Sequence, residues 1–192
     1  MKKKLNVIDL DETLIKLDSL RYLILKWQPR LELIFFAILR ILKLKTRAEF
    51  CQKIIFLYQD FLHDHKQVDN FVKMLLLHLN KDILDIVHHH TDETTENIII
   101  SASPHQYVEV FANNLSMRGY GSKIIGQNIF HCYGEQKINF LIKNYPQENY
   151  DYNLALSDSS SDILLLKLFK YSYMVRDSKL INIDEYLDYK NS

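Results

Sequence analysis

Glycine and proline are scarce in this chain, with four and three residues among 192. Between Leu14 and Glu93 there is no glycine, and Pro29 is the one proline. A stretch this long without chain breakers, carrying apolar residues at helical spacing, reads as a set of helices. The two cysteines, Cys51 and Cys132, exclude a disulfide framework and a cysteine metal cluster; both are expected to be buried thiols in a reducing compartment. Charge of one sign is not in excess: 24 bases balance 24 acids. No global attraction to nucleic acid or membrane is therefore expected. No uncharged apolar run is long enough to span a bilayer. The start Met1-Lys2-Lys3-Lys4 imitates a signal n-region, but Asp9 and Asp11 interrupt the apolar stretch, so a signal peptide is not expected and a cytoplasmic location is. Repeats and low-complexity linkers are missing too. A hydrophobic content of 47% suffices for a core and argues against disorder. The length suits one domain with an insertion.

What is present begins at Leu5 to Ile8, a short apolar run that reads as a buried strand. Asp9-Leu10-Asp11-Glu12-Thr13 follows directly. Carboxylates at the carboxyl end of a parallel strand stand where ligands bind in open α/β sheets. Two of them together repel each other unless a cation or a proton-transfer role compensates. Read alone, the same residues serve equally as a helix start, with Asp11 or Thr13 satisfying backbone N–H groups. A second apolar run, Asn97 to Ile100, ends in Ser101-Ala102-Ser103-Pro104. Ser103 is expected to cap a helix running from about Pro104 to Met117, with Gly119 as its stop. Ser101 then faces a helix N-terminus, a setting that suits phosphate. Lys137 lies in a helical segment opened by Gly134. A further apolar run ends in Ser157-Asp158, with Asp162 four residues on.

In this order the motifs resemble the haloacid dehalogenase superfamily, and in particular its phosphoserine phosphatase-like branch. D-x-D-x-T at 9–13, Ser101, Lys137 and the pair Asp158/Asp162 match its four motifs. The resemblance spans the whole chain. It implies an α/β fold, a Rossmann-like parallel sheet core with a helical cap inserted after the first strand. Residues 1–14 and 95–192 would form the core and 15–94 the cap. Core strands are expected at 5–9, 97–101, 123–126, 153–157 and 171–175, with parallel pairing. Two departures stand out: Ser157 and Leu164 occupy positions where relatives carry glycine and proline. A glycine at 157 would serve a special backbone angle.

The activity implied is Mg2+-dependent hydrolysis of a phosphate monoester through an aspartyl-phosphate. Asp9 would be the nucleophile and Asp11 the general acid and base. Mg2+ would be held by Asp9, by Asp11 through its backbone carbonyl, and by Asp158, with Asp162 a second metal-side carboxylate or an orienting partner of Lys137. Lys137 and Ser101 would hold phosphoryl oxygens, while Thr13, Ser103 and His105 are candidates for substrate positioning. Plainer readings exist for three of these: an exposed helix lysine for Lys137, a helix cap for Asp162, and a first-turn surface histidine for His105.

The inserted segment carries its own signal. From Arg21 to Arg47 there are seven bases, Arg21, Lys26, Arg30, Arg40, Lys43, Lys45 and Arg47, against Glu32 alone. That is a net +6, balanced by −6 elsewhere. Within it Leu31, Ile34, Phe35, Ile38 and Leu42 fall at helical spacing. Residues 21–47 thus suit either peripheral contact with an anionic membrane or a buried cap helix with its bases in water. A lipid phosphate at the inner membrane is one substrate expectation, and a soluble metabolite is another. Transfer to an acceptor other than water, or a binding protein with a residual site, are further alternatives. The groups His63/His65 and His88–His90 read as surface or helix-end residues rather than metal ligands, and the tyrosines of the tail as packing.

Overall fold

The computed structural model of the chain describes residues 2–191, without the side chains of Ile34, Ala37 and Asn191. The strands are β1 (Lys3–Ile8), β2 (Thr95–Pro104), β3 (Arg118–Ile125), β4 (Asn128–Phe130), β5 (Tyr150–Ser157), β6 (Tyr171–Arg176) and β7 (Lys179–Asn182). They form one sheet of order β4-β3-β2-β1-β5-β6-β7. The five central strands pair in parallel, and only the two edges, β3 with β4 and β6 with β7, are antiparallel. A parallel strand covered on both faces needs a continuous apolar sequence, and β1 supplies it with Leu5, Val7 and Ile8 buried. Asn6 interrupts that run without leaving an orphaned amide. It donates to Asn97 at 2.8 Å on β2 and accepts from Asn153 at 2.8 Å on β5.

Between β1 and β2 come the short α1 (Ser19–Tyr22), α2 (Leu31–Ile41), α3 (Arg47–Leu57), α4 (Gln59–His63), α5 (His65–Leu76) and α6 (Lys81–His89). Their starts are set locally. Asp18 caps α1, Asp64 caps α5, and Thr46 with Glu49 forms a reciprocal capping box at α3. The remaining helices are α7 (His105–Asn114), α8 (Glu135–Asn144), α9 (Ile163–Leu166) and α10 (Ile183–Asn191). The inserted helices do not stand apart from the sheet. One apolar cluster contains Ile8 and Leu156 of the strands, Tyr107 and Phe111 of α7, and Ile54 and Phe71 of the insertion. The Phe71 and Tyr107 rings meet edge to face at 5.3 Å.

Three local expectations are corrected. Gly119 does not stop α7; it lies inside β3, which starts at Arg118 rather than 123. A Cβ there would come within 2.4 Å of the Val108 carbonyl, so glycine is what lets β3 run against α7. Gly119→Ala is expected to destabilise the protein by about 1–3 kcal/mol, the usual range for overpacking, measurable by urea unfolding. The antiparallel edges β4 and β7 are absent from the sequence reading because each is too short to show a period. Ser157 needs no special backbone angle: it is not among the residues with positive φ and simply ends β5.

Helix α2 turns its expected stripe outward. Leu31, Phe35, Ile38 and Leu42 are 83%, 60%, 48% and 61% exposed, whereas Leu33 on the other side is buried. The reading of α2 as a buried helix with only its bases in water is therefore overturned. The Ile34 and Ala37 side chains of this stretch lie outside the described residues. His89 is bonded to the carbonyl one turn back, and the His90 ring packs on Tyr171. Among the described residues no group of three His, Cys, Asp or Glu is placed to hold a metal by side chains alone.

Candidate active site

The sheet register assembles the site. Ile8 pairs with Ile99 on one side and Leu156 on the other. Asp9 and Asp158 therefore leave neighbouring strands at nearly the same level, at their carboxyl ends, with Ser101 beside them inside β2. The Asp9 N–H still bonds to the Leu156 carbonyl at 2.9 Å, which holds its backbone in line with the sheet. The chain then turns sharply through Leu10–Leu14, with Glu12 in the left-handed region at φ 54°. This turn carries the Asp11 side chain back over the cavity.

A cavity of about 370 Å3 opens there, within the size range of small-ligand pockets. Asp9, Asp11, Ser101, Ser103, Lys137 and Asp158 all line it. Lys137, from α8, is 4% exposed and bridges two carboxylates, with Nζ 2.8 Å from Asp9 Oδ1 and 2.6 Å from Asp162 Oδ2. Lys137 is thus no exposed helix lysine. Burial works against its charge, but Asp9 and then Asp162 override that and hold the ammonium above its ordinary value. Asp162 is buried and is not among the lining residues. Its side chain makes no helix-capping bond; besides Lys137 it accepts from Ser157 Oγ at 2.8 Å. The serine at 157 therefore steers the carboxylate that steers the lysine.

The Asp11 carboxyl is held by three neighbours: the Ser19 N–H at 2.6 Å, Ser103 Oγ at 2.7 Å and Ser101 Oγ at 3.3 Å. Ser103 is consequently not the helix cap that its position suggested; its hydroxyl points to Asp11, and α7 starts without a side-chain cap. Ser19 in turn meets Tyr107 Oη at 3.0 Å. Burial raises Asp11 to about 7, helped by repulsion from Asp18 and Asp9. Burial likewise raises Asp158, to about 8, with Asp9 and Glu12 repelling it and Asp9 close enough to share a proton. For Asp9, burial raises the value and Lys137 opposes the rise.

Two candidates stand back from the cavity. Thr13 is buried, and its Oγ1 accepts the Asp158 N–H at 2.9 Å, so it ties the first turn to the loop after β5 rather than lining the cavity. His105 does not line the cavity; its Nε2 is 3.9 Å from Glu109. The sequence reading also omitted lining residues. His131, Tyr133 and Ser159 come from core loops and Ser161 from a single 3-10 turn, Ser160–Asp162; Arg40, Arg47, Phe50 and Cys51 come from the insertion. The base-rich stretch 21–47 contained the signal for the two arginines, but nothing in it showed that they face the cavity. Burial pushes the Cys51 and Cys132 thiols up, to about 11 and about 12, which leaves both as inert packing groups.

The profile of the haloacid dehalogenase-like hydrolases matches residues 7–167. The sequence matches none of the curated proteins with which it was compared. Among solved structures, a Bordetella pertussis Tohama I protein of unknown function superposes with a TM-score of 0.71 at 13% identity, covering 100% of this chain and 97% of that one. A phosphoserine phosphohydrolase-like protein from Francisella tularensis subsp. tularensis SCHU S4 gives 0.61 at 17% identity, covering 97% and 92%. A substrate-bound phosphoserine phosphatase complex gives 0.61 at 15% identity, covering 98% and 99%. At these identities the likeness is one of fold.

Proposed function

Because the chain belongs to the haloacid dehalogenase-like hydrolases, we propose that it is a Mg2+-dependent phosphatase acting on a phosphate monoester through Asp9. One observation carries this reading: a nucleophile candidate fixed by a buried lysine shares a cavity with a second carboxyl held near neutrality. Pairs of carboxyls pushed to different proton affinities divide the roles of nucleophile and acid. Lys137 fixes Oδ1 of Asp9, which aims the carboxylate into the cavity for attack on phosphorus. Asp11, protonated in part near pH 7, gives its proton to the leaving oxygen and later takes one from the attacking water. Ser101 reaches the phosphoryl group once it turns from Asp11. Thr13 keeps the loop that bears Asp158 in register. The inserted helices act as a cap that limits water and selects the substrate.

The donor set fits Mg2+. Asp9 and Asp158 are crowded carboxylates that repel each other; they would hold the ion, and by family resemblance the Asp11 carbonyl would join them. Few protein ligands and several waters are what this ion prefers. When bound, Mg2+ neutralises charge on the phosphoryl oxygens. Asp162, committed to Lys137 and Ser157, orients the lysine.

The metal-free site makes its own signature. Burial and the nearby acids raise Asp158 to about 8, so binding of Mg2+ there would release its proton. Apparent Mg2+ affinity is expected to strengthen between about pH 6 and about pH 8, by up to about tenfold per pH unit. Titration calorimetry in buffers of different ionisation enthalpy reads the released proton; pH-independent affinity counts against the site. Acids whose folded pKa lies above the unfolded value destabilise the fold as pH rises between the two. The metal-free protein should therefore lose stability from about pH 4 through about pH 8, and Mg2+ should offset that loss. The covalent step is tested by rapid acid quench: intact-protein mass should show one added phosphoryl group, absent in Asp9→Asn.

A finer reading of the substrate is a phosphate monoester on a membrane lipid. The outward apolar face of α2 favours it, beside bases that would meet anionic headgroups. Flotation with anionic vesicles should carry the protein at low salt, and Phe35→Ser with Ile38→Ser should abolish this. Failure of the wild type to float leaves the soluble-metabolite reading. Transfer to an acceptor other than water uses the same residues and is separated by product analysis.

A further inference from the structure

We propose that Tyr107, acting through the hydroxyls of Ser19 and Ser103, is a positioning residue for Asp11 that sets which carboxyl oxygen carries the proton given to the leaving group. This rests on the phosphatase reading above and deepens the account of the same site. Tyr107, Ser19 and Ser103 are all buried, and neither Tyr107 nor Ser19 lines the cavity. Tyr107 Oη lies 3.0 Å from Ser19 Oγ, Ser19 Oγ 3.2 Å from Ser103 Oγ, and Ser103 Oγ 2.7 Å from Asp11 Oδ2. Three hydroxyls thus run in a row from α7 to the carboxyl, behind the wall of the cavity. Each hydroxyl has one hydrogen to give. When Ser103 donates to the ionised Asp11, it accepts from Ser19, and Ser19 accepts from Tyr107. The row then points all its hydrogens at the carboxylate. A phenylalanine at 107 would fill nearly the same space but would remove the donor that orders the Ser19 hydroxyl.

The two Asp11 oxygens meet different partners. Oδ1 accepts from the Ser19 N–H at 2.6 Å. An amide N–H can only donate, so this oxygen stays free of the proton. Oδ2 meets the hydroxyls of Ser103 and Ser101, at 2.7 and 3.3 Å, and a hydroxyl can turn from donor to acceptor. The proton therefore belongs on Oδ2, beside Ser101, the side chain that reaches the phosphoryl group. With the proton there, Ser103 accepts from Asp11 and each hydroxyl of the row turns the other way. The far end of the row is held firmly. Tyr107 packs against Phe71 of the insertion, and Phe71 in turn against Trp27 and Phe61, with ring centres 5.6 and 5.7 Å apart. Such aromatic contacts fix ring orientation. Ser19 opens α1, the first helix of the insertion, whereas Tyr107 and Ser103 belong to the core. The geometry of the acid is thus tied to the seating of the inserted helices on the sheet.

The test measures kcat/KM in Mg2+ for 4-nitrophenyl phosphate, whose leaving group departs without a proton, and for benzyl phosphate, whose alkoxide needs one. This constant reports attack on phosphorus, before the phosphoenzyme common to both. The readout is the ratio of the aryl to the alkyl value in wild type, Tyr107→Phe, Ser19→Ala, the double variant and Asp11→Asn. Asp11→Asn should raise the ratio most, by about 10^2- to 10^4-fold, the contribution of a general acid. Tyr107→Phe should raise it about threefold to tenfold, the scale of one neutral hydrogen bond. Ser19→Ala should raise it about 10- to 100-fold, the scale of a misplaced reacting group. Because the hydroxyls act in series, the double variant should match Ser19→Ala instead of multiplying the two effects. Circular dichroism checks that each variant is folded, and Ser19→Ala decides the matter if Tyr107→Phe is not. Equal losses on both substrates overturn the proposal, since they show that the hydroxyls serve the fold alone. Multiplied losses in the double variant overturn the row. A ratio that moves in Asp11→Asn but in neither hydroxyl variant overturns the positioning role and leaves the phosphatase intact. Wild-type silence on both substrates overturns the phosphatase reading and the proposal with it.

Discussion

Asp9→Asn is expected to remove phosphate release, by about 10^4-fold or more, the scale seen when a nucleophile is lost, while the protein stays folded. The amide keeps the shape of the carboxylate and can still accept from Lys137 at the position Oδ1 now occupies, 2.8 Å from Nζ. It removes a buried charge that raises both Asp11 and Asp158. The melting temperature should therefore hold or rise in metal-free buffer, and Mg2+ should stabilise the variant less than the wild type. Single-turnover phosphate release and thermal melts with and without Mg2+ check both halves. Activity within about tenfold of wild type would remove Asp9 as nucleophile.

Lys137→Met should produce the largest loss of stability. The side chain is 4% exposed, and its ammonium is the shared partner of Asp9 and Asp162. Without it two buried carboxylates face each other uncompensated. Removing one partner of a buried ion pair costs about 3–5 kcal/mol, which in a chain of this size is a fall of about 6–20 °C in melting temperature. The sign with pH follows: burial already raises Asp9 and Lys137 opposes the rise, so without the lysine Asp9 takes up its proton more readily as pH drops, and the deficit should be greatest above neutrality and shrink toward acid. Adding Asp162→Asn should recover part of the loss, the coupling a double-mutant cycle reads. Activity should disappear in both. An equal deficit at every pH, or a loss under about 1 kcal/mol, well below the cost expected for an orphaned buried charge, would mean that the Asp9–Lys137–Asp162 bridge is not the stabilising contact.

Much of the site was legible in the chain because it lies where apolar strands end. Asp9 follows Ile8, Ser101 follows Ile100, and Asp158 comes just beyond Leu156; the parallel pairing then brings these ends together. The family was legible for the same reason, since its motifs sit at strand ends in a set order. Ser103 was misassigned because a serine before a proline satisfies the local rule for a helix cap, and only the return of the Asp11 turn offers it a better acceptor. Ser157 was read only as a departure from the family pattern because its partner, Asp162, is invisible as a partner until the loop folds.

Strand ends, the order of the motifs and the helical nature of the insertion depend on neighbours within a few residues, so spacing and composition are enough to specify them. Other features depend on segments that meet only after folding. Thr13 finds the Asp158 N–H 145 residues away, and Arg47 finds the ring of Tyr133. The apolar stripe of α2 faces outward because Leu33, not Phe35, meets the rest of the insertion. A hydrophobic period marks a face, but only packing decides whether that face meets protein or water.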